Sequence, residues 1–365
     1  MKAAILGMGQ WLPSTVRTNA EWPADFAAHS AASAHRELAD VRVSGRGDEF
    51  DSIVTGYLES EAGDPFLGSK VRRIADDSMT SREAEALAAE AALADAGVPA
   101  SEIDFVLSWS LVPDRPMPPS GPWVAHHIGA TNAFAIGVDV ACASVVAQLL
   151  FAASLIESGR AAKVLITDSH LATRTFPIMH PASPSVGDAA TALVVGASER
   201  GGVLASYGVS HGEYYDAVAW RRGKDEDTPW YRAGGPMHMG SYDRDGVRRI
   251  VQDTVRFGAD TVREALKKAR LPVSDLAVIA SVQPRRWIPT AIARALGLAE
   301  EVAPQTFDSL AHLAGCGVVT NLIEARRRGL LSPERSGGEP PLVCMYAQGA
   351  GFTRASVLLR WVSSS

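Results

Sequence analysis

The sequence predicts an α/β protein in which one structural unit is used twice, with helices on both faces of each sheet. Three observations carry this reading: an ungapped internal repeat, apolar strand-like runs alternating with amphipathic helical stretches, and enough apolar residues for a large core. Of the 365 residues, 47% are hydrophobic, which fits two domains or one large duplicated body. Residues 92–108, ALADAGVPASEIDFVLS, align with 265–281, ALKKARLPVSDLAVIAS, so that Ala92/Ala265, Leu93/Leu266, Ala96/Ala269, Pro99/Pro272 and Ser101/Ser274 coincide. Each copy reads as the end of an amphipathic helix, a proline turn, a serine–acid pair and a buried strand. The helices are expected to begin near Met79–Arg82 and Arg248–Val251.

The same offset lays Val145 and Val146 on Val318 and Val319, Cys142 on Gly315, and Asp139 on His312. The segments VDVACASVVAQLL and AHLAGCGVVTNLI are therefore equivalent loop-to-helix junctions. KVLITD (163–168) and ATALVVG (190–196) close the first half as paired strands, and LVCMY (342–346) and RASVLLR (354–360) close the second. Alternation of strands and helices implies largely parallel sheets and, for two halves, a five-layered α/β arrangement. The division falls at 1–199 and 200–365, residues 20–70 read as an irregular insertion, and 200–245 connects the halves with glycine- and aromatic-rich sequence.

Bulk properties exclude several functions. A net charge of −6 without a long basic run argues against binding nucleic acid through its phosphates. Three cysteines (Cys142, Cys316, Cys344) and no CxxC pair leave no disulfide framework or zinc site, and suit a reducing interior. The opening MKAAILGMGQWLP reads as a first strand, having no small-residue cleavage site, and the longest apolar stretches fall short of a membrane span. A cytoplasmic protein is expected.

Chemistry concentrates at Cys142. A cysteine at a helix start has N–H groups and the positive end of the helix dipole nearby, both favouring thiolate. The alternative is a small buried residue at a tight turn, the role assigned to Cys316 and Cys344. In order along the chain, ILGMGQWLPSTVRTN, VRRIADDSMTSREAEALAAEAAL, DVACASVV, VGDAATALVVG and QGAGFTRASVLL resemble the thiolase superfamily, specifically its ketoacyl-ACP synthase III branch, over essentially the whole length. The resemblance implies a thiolase-like duplicated αβαβα fold, a homodimer, and Cys142 as nucleophile. It also implies an oxyanion hole from the N–H groups of Cys142 and Gly351, and no metal or redox cofactor.

The chain departs from that family at the malonyl site. The family's H-Q-A-N stretch corresponds to Val282-Gln283-Pro284-Arg285, and its active-site asparagine to His312. Valine neither donates a hydrogen bond nor exchanges a proton. A cysteine with one histidine suits simple acyl transfer, His312 acting as base on the thiol and then on an incoming hydroxyl or amine. This pattern resembles ketosynthase III-like acyltransferases of antibiotic and polyketide pathways. In such relatives an acid shortly after the histidine orients it. Position 317 is glycine here, leaving Asp308, one helical turn before His312, as the candidate.

Arg285, Arg286 and Trp287 suit a pantetheine phosphate, an adenine ring or an acidic carrier protein, or a solvated basic surface; Lys70, Arg72 and Arg73 raise the same choice. His180 is a candidate for the acceptor side. His29, His35, His170, His211 and His238 have no partner at a useful spacing. The expected enzyme is an acyltransferase drawing on a CoA or carrier-protein thioester, with a small-molecule acceptor. The alternatives are a chain-initiating or condensing ketosynthase and a catalytically silent ketosynthase partner subunit.

Overall fold

The computed structural model describes residues 1–30, 46–222, 229, 231–232, 234–235 and 237–362; His35 and part of the 200–245 connection lie outside them. The first half contains β1 (Lys2–Trp11), β2 (Thr15–Thr18), α1 (Glu49–Glu61), β3 (Val71–Ile74), α2 (Ser81–Ala96), β4 (Phe105–Ser110), α3 (Gly121–His127), β5 (Phe134–Gly137), α4 (Ser144–Glu157), β6 (Lys163–Leu171) and β7 (Asp188–Ser198). The second contains β8 (Gly202–Ser210), β9 (Ala219–Arg222), β10 (Met237–Gly240), α5 (Arg244–Ala269), β11 (Leu276–Ser281), α6 (Ile288–Ala295), α7 (Phe307–Leu310), α8 (Gly315–Arg327), β12 (Leu342–Gly349) and β13 (Thr353–Arg360). The insertion is thus not wholly irregular, since it includes α1, whose Asp48 side chain caps the Asp51 N–H.

One sheet has the order β1-β7-β6-β4-β5 and the other β11-β12-β13-β8. Strand direction departs from the expectation of largely parallel sheets. β4 runs parallel to β5 and β6, but β6–β7 and β1–β7 are antiparallel. In the second sheet only β11–β12 is parallel, with β12–β13 and β13–β8 antiparallel. The reason is connection length: β13 follows β12 through a three-residue turn, Ala350–Phe352, and a parallel neighbour needs a long crossover.

The layers follow from where each helix buries its apolar stripe. Val145, Val146 and Leu149 of α4 share one core with Val318, Val319 and Leu322 of α8, so the two repeat-related helices form the middle layer. Ala84, Ala88 and Ala92 of α2 pack outside the first sheet, and Val255, Val262 and Ile292 of α5 and α6 outside the second. This is the thiolase-like five-layer fold. It brings the two junctions face to face at the centre of the molecule. Among the described residues, no helix is long and apolar enough to cross a membrane.

One outer-layer residue makes a measurable prediction. Glu85 of α2 is wholly buried and accepts hydrogen bonds from Ser110, Ser120, Thr167 and Ser169. Burial pushes its carboxyl up from 4.5 to about 7, against the pull of those four hydroxyls. The folded protein therefore holds a proton that the unfolded chain releases, and stability falls by about 3 kcal/mol as pH rises from about 4.5 to about 7. Glu85→Gln is expected to flatten this slope in melting curves taken across the range. Parallel slopes for the two proteins would contradict the assignment.

Candidate active site

Cys142 sits in a one-turn 3-10 segment, Ala141–Ala143, that feeds into α4. Asp139 holds the approach, its carboxylate accepting from Trp109 Nε1 at 2.7 Å and from the Ala141 N–H at 2.9 Å. Ser144 Oγ closes the turn by donating to the Ala141 carbonyl and accepting the Val140 N–H. Ala141 is thereby held at φ +48°. His312 lies in the opposing junction, flanked by Ala311 at φ +59° and Ala314 at φ +49°, and Phe352 of the closing turn has φ +45°. Left-handed backbone of this kind costs about 1–2 kcal/mol per non-glycine residue and tends to gather at functional sites.

Cys142 Sγ lies 4.0 Å from His312 Nε2. Both backbone groups of His312 are pinned by one segment: its N–H donates to the Ser185 carbonyl, and its carbonyl accepts from the Gly187 N–H. Behind it Gln283 Nε2 donates to the Ala311 carbonyl at 3.1 Å and to Thr306 Oγ1 at 3.0 Å, while Gln283 Oε1 accepts from Asn321. The family register at Gln283 is visible in the sequence; its support of the histidine loop is not. Val282 is wholly buried in the central core and presents only methyl groups.

Ionisation differs from the expectation drawn from the helix start. Cys142 is partly exposed, yet the protein around it desolvates the sulfur, and burial together with the Asp139 charge pushes the thiol up to about 12, against the help of its own backbone N–H. Burial and the neighbouring His170 bring His312 down to about 3. The resting pair is therefore a neutral thiol beside a neutral imidazole, with burial outweighing the backbone N–H at the sulfur. Difference absorbance between wild type and Cys142→Ala at about pH 7 is expected to show no thiolate band. A clear band would establish an ion pair instead.

Asp308 is not the partner of His312. α7 ends at Leu310 and Ala311 leaves helical backbone, so the one-turn spacing does not place the two side chains on one helical face. The Asp308 carboxylate instead bonds Arg286 Nε at 2.6 Å and approaches Lys70 Nζ at 3.4 Å. Burial works against its charge, but these two cations prevail and hold its carboxyl below the usual range. The neighbouring trio is likewise internally paired. Arg285 meets Glu61 at 3.5 Å, and Trp287 donates to Glu61 at 2.9 Å while stacking on Tyr57. Trp287 is buried and its ring already engaged. Arg286 borders a cleft of about 360 Å³ that is also lined by Glu61, Asp64 and Glu300, a charge balance unlike a free phosphate site. Arg72 is wholly buried on the Pro184 carbonyl, which removes it from the surface. His180 accepts the Ala182 N–H in its own loop and packs on Phe176.

The glycine-rich turn reaches the nucleophile through Gly349. A Cβ there would lie 2.9 Å from the Cys142 nitrogen and 2.5 Å from the Val140 carbonyl oxygen. Gly351, at φ +72°, follows two residues on.

Two family models match the chain. A model of 3-oxoacyl-[acyl-carrier-protein] synthase III matches residues 136–212, and one of the C-terminal part of that synthase matches 266–361. Two stretches of the chain thus match ketoacyl-ACP synthase III domains. A β-ketoacyl-[acyl-carrier-protein] synthase III of Rhodobacter capsulatus is 28% identical over 365 residues, covering 99% of each chain. One from Geobacillus kaustophilus is 25% identical, again over 99% of each. The crystal structure of the Pseudomonas aeruginosa 3-oxoacyl-(acyl carrier protein) synthase III superposes with a TM-score of 0.76 at 26% identity, over 99% of this chain and 98% of that one. The priming β-ketosynthase of the R1128 polyketide pathway gives 0.76 at 23% identity, over 100% of this chain and 97% of that one, a likeness of fold. The chain is thus similar over nearly its whole length to transferases named β-ketoacyl-[acyl-carrier-protein] synthase III.

Two supports of the ketosynthase III-like site escape sequence reasoning. His170, dismissed for want of a nearby partner, has its ring 5.6 Å from that of His312. Gly187 touches both histidines, and the VGD motif was its only signal.

Proposed function

We propose that Cys142 accepts an acyl group from a CoA or carrier-protein thioester, with His312 removing the thiol proton, and that the acyl group then passes to a hydroxyl or amine. The observation that carries this reading is the Cys142–His312 pair, 4.0 Å apart, beside a buried valine where decarboxylating relatives place a histidine. Attack of the Cys142 sulfur on the thioester carbonyl expels the donor thiolate, which takes the proton held by His312 and leaves the imidazole neutral again. The proposed oxyanion donors are the N–H of Cys142 and one from the Gly349–Gly351 turn. In the second step His312 takes the acceptor's proton as the acyl–sulfur bond breaks.

The second reading is a chain-initiating ketosynthase, and the comparisons weigh towards it: the relatives matched along their whole length are named β-ketoacyl-ACP synthases III. It requires malonyl decarboxylation without an imidazole at position 282. The intact pair at Cys142 favours either over a silent subunit. Incubating the acylated protein with malonyl carrier protein, or with hydroxyl and amine acceptors, separates the two. A product heavier by the acyl group alone supports transfer; carbon dioxide release with a β-ketoacyl product supports condensation.

The reading extends to 1–199 and 200–365 as two halves of one unit and to a homodimer in the cytoplasm, within a specialised-metabolite pathway. Support for the dimer lies at β5, an edge strand. Phe134 of β5 is 64% exposed, and Phe151 of α4, 49% exposed, lines an apolar depression of about 440 Å³ together with Phe105, Ile136 and Val138.

A further inference from the structure

We propose that His170 is the positioning partner of His312, taking the place of the carboxylate absent at position 317. The inference rests on the reading of Cys142 as an acylated nucleophile. To accept the thiol proton, His312 must present a lone pair on Nε2, the nitrogen facing Sγ. Its own proton is then on Nδ1, a buried atom that makes no hydrogen bond of normal length among the described residues, the Gln283 carbonyl being the one backbone acceptor that favours a proton on the ring. An imidazole with Nδ1–H unanswered is a poor base, because the positive charge it acquires spreads to that N–H.

The complementary group stands beside it. His170 is almost wholly buried on β6, and its Nδ1–H donates to the Gly187 carbonyl at 2.8 Å. A carbonyl only accepts, so the hydrogen bond fixes the tautomer and leaves a lone pair on His170 Nε2. Burial keeps the ring neutral, bringing it down to about 4. The two rings meet edge to face, with centroids 5.6 Å apart at 70°. No direct hydrogen bond joins them at rest, and the proposed link forms on rotation of the His312 ring about Cβ–Cγ. Both are mounted on one segment, since Ser185 and Gly187 hold the His312 backbone and Gly187 holds the His170 ring. When the proton moves from Cys142 Sγ to His312 Nε2, His312 Nδ1–H donates to His170 Nε2, and no further proton is transferred.

Two substitutions separate this role from packing. In His170→Asn the side-chain amide takes the place of Nδ1 and keeps the Gly187 bond, but no acceptor remains at the Nε2 position. In His170→Gln the amide reaches the Nε2 position and offers its carbonyl oxygen. The probes are iodoacetamide and a panel of acyl-CoA thioesters at neutral pH, with addition at Cys142 followed by intact-protein mass. Expected is a loss in alkylation and acylation rate of about 10- to 100-fold in His170→Asn, with a melting temperature within about 2 °C of wild type, and substantial recovery in His170→Gln. Wild-type rates in His170→Asn, or equal losses in both variants, would overturn the inference while leaving Cys142 as nucleophile. Failure of wild type to react with either probe would overturn the parent reading as well.

Discussion

His312→Ala is expected to slow the loading of Cys142 by about 10²- to 10⁴-fold, the usual worth of a positioned general base. The size of the effect follows from the resting state of the site. A thiol pushed up to about 12 supplies almost no thiolate at neutral pH, so attack depends on a base that takes the proton as the carbon–sulfur bond forms. His312 Nε2, at 4.0 Å, is the ring nitrogen placed to do so. The wild-type imidazole, brought down to about 3, stays unprotonated through mildly acidic conditions, so this advantage persists there. Single-turnover acylation of the two proteins measures it, and equal rates would show that His312 is a packing residue.

Gly187→Ala is expected to cost about 3 kcal/mol of stability, lowering the melting temperature by about 5 °C, and to reduce loading sharply. A Cβ at this position would lie 2.2 Å from the Leu310 carbonyl oxygen and 3.3 Å from Leu313 Cδ2, and the closer neighbour is backbone, which cannot swing away as a side chain can. The strand start must shift, and with it the N–H that holds the His312 carbonyl and the carbonyl that holds His170. Asp188 next to it has a separate task, accepting from the N–H groups of Ala75 and Thr173 and from the Thr173 hydroxyl. A Gly187→Ala protein with wild-type melting and loading would show that the contact is more compliant than its geometry implies.

Much of this was legible because duplication is a sequence property. The offset that aligns Cys142 with Gly315 also identifies the two helix starts that meet, and a Cβ on Gly315 would lie 3.5 Å from the Cys142 carbonyl oxygen. His312 was found through the family resemblance, which lays the active-site asparagine on it. Strand direction was not legible, because it depends on whether a connection is a short turn or a crossover, as at Ala350–Phe352. Asp308 misled because a spacing of four implies one helical face only while the helix continues, and here it stops at Leu310. His170 was invisible because its partner is remote in sequence and is brought near by the pairing of β6 with β7 and the bridge between Val186 and His312. The basic trio looked like a binding surface because its carboxylate partner Glu61 lies on α1, within the stretch read as irregular.

The most direct test of the central claim is the intact mass of the protein after incubation with a panel of acyl-CoA and acyl carrier protein thioesters, beside Cys142→Ala. Gain of one acyl mass by wild type, mapped to the peptide containing Cys142 and absent from Cys142→Ala, is the expected result. The retained mass then names the donor's acyl group. Acylation that persists in Cys142→Ala, or no acylation of wild type by any thioester of the panel, would contradict Cys142 as the nucleophile.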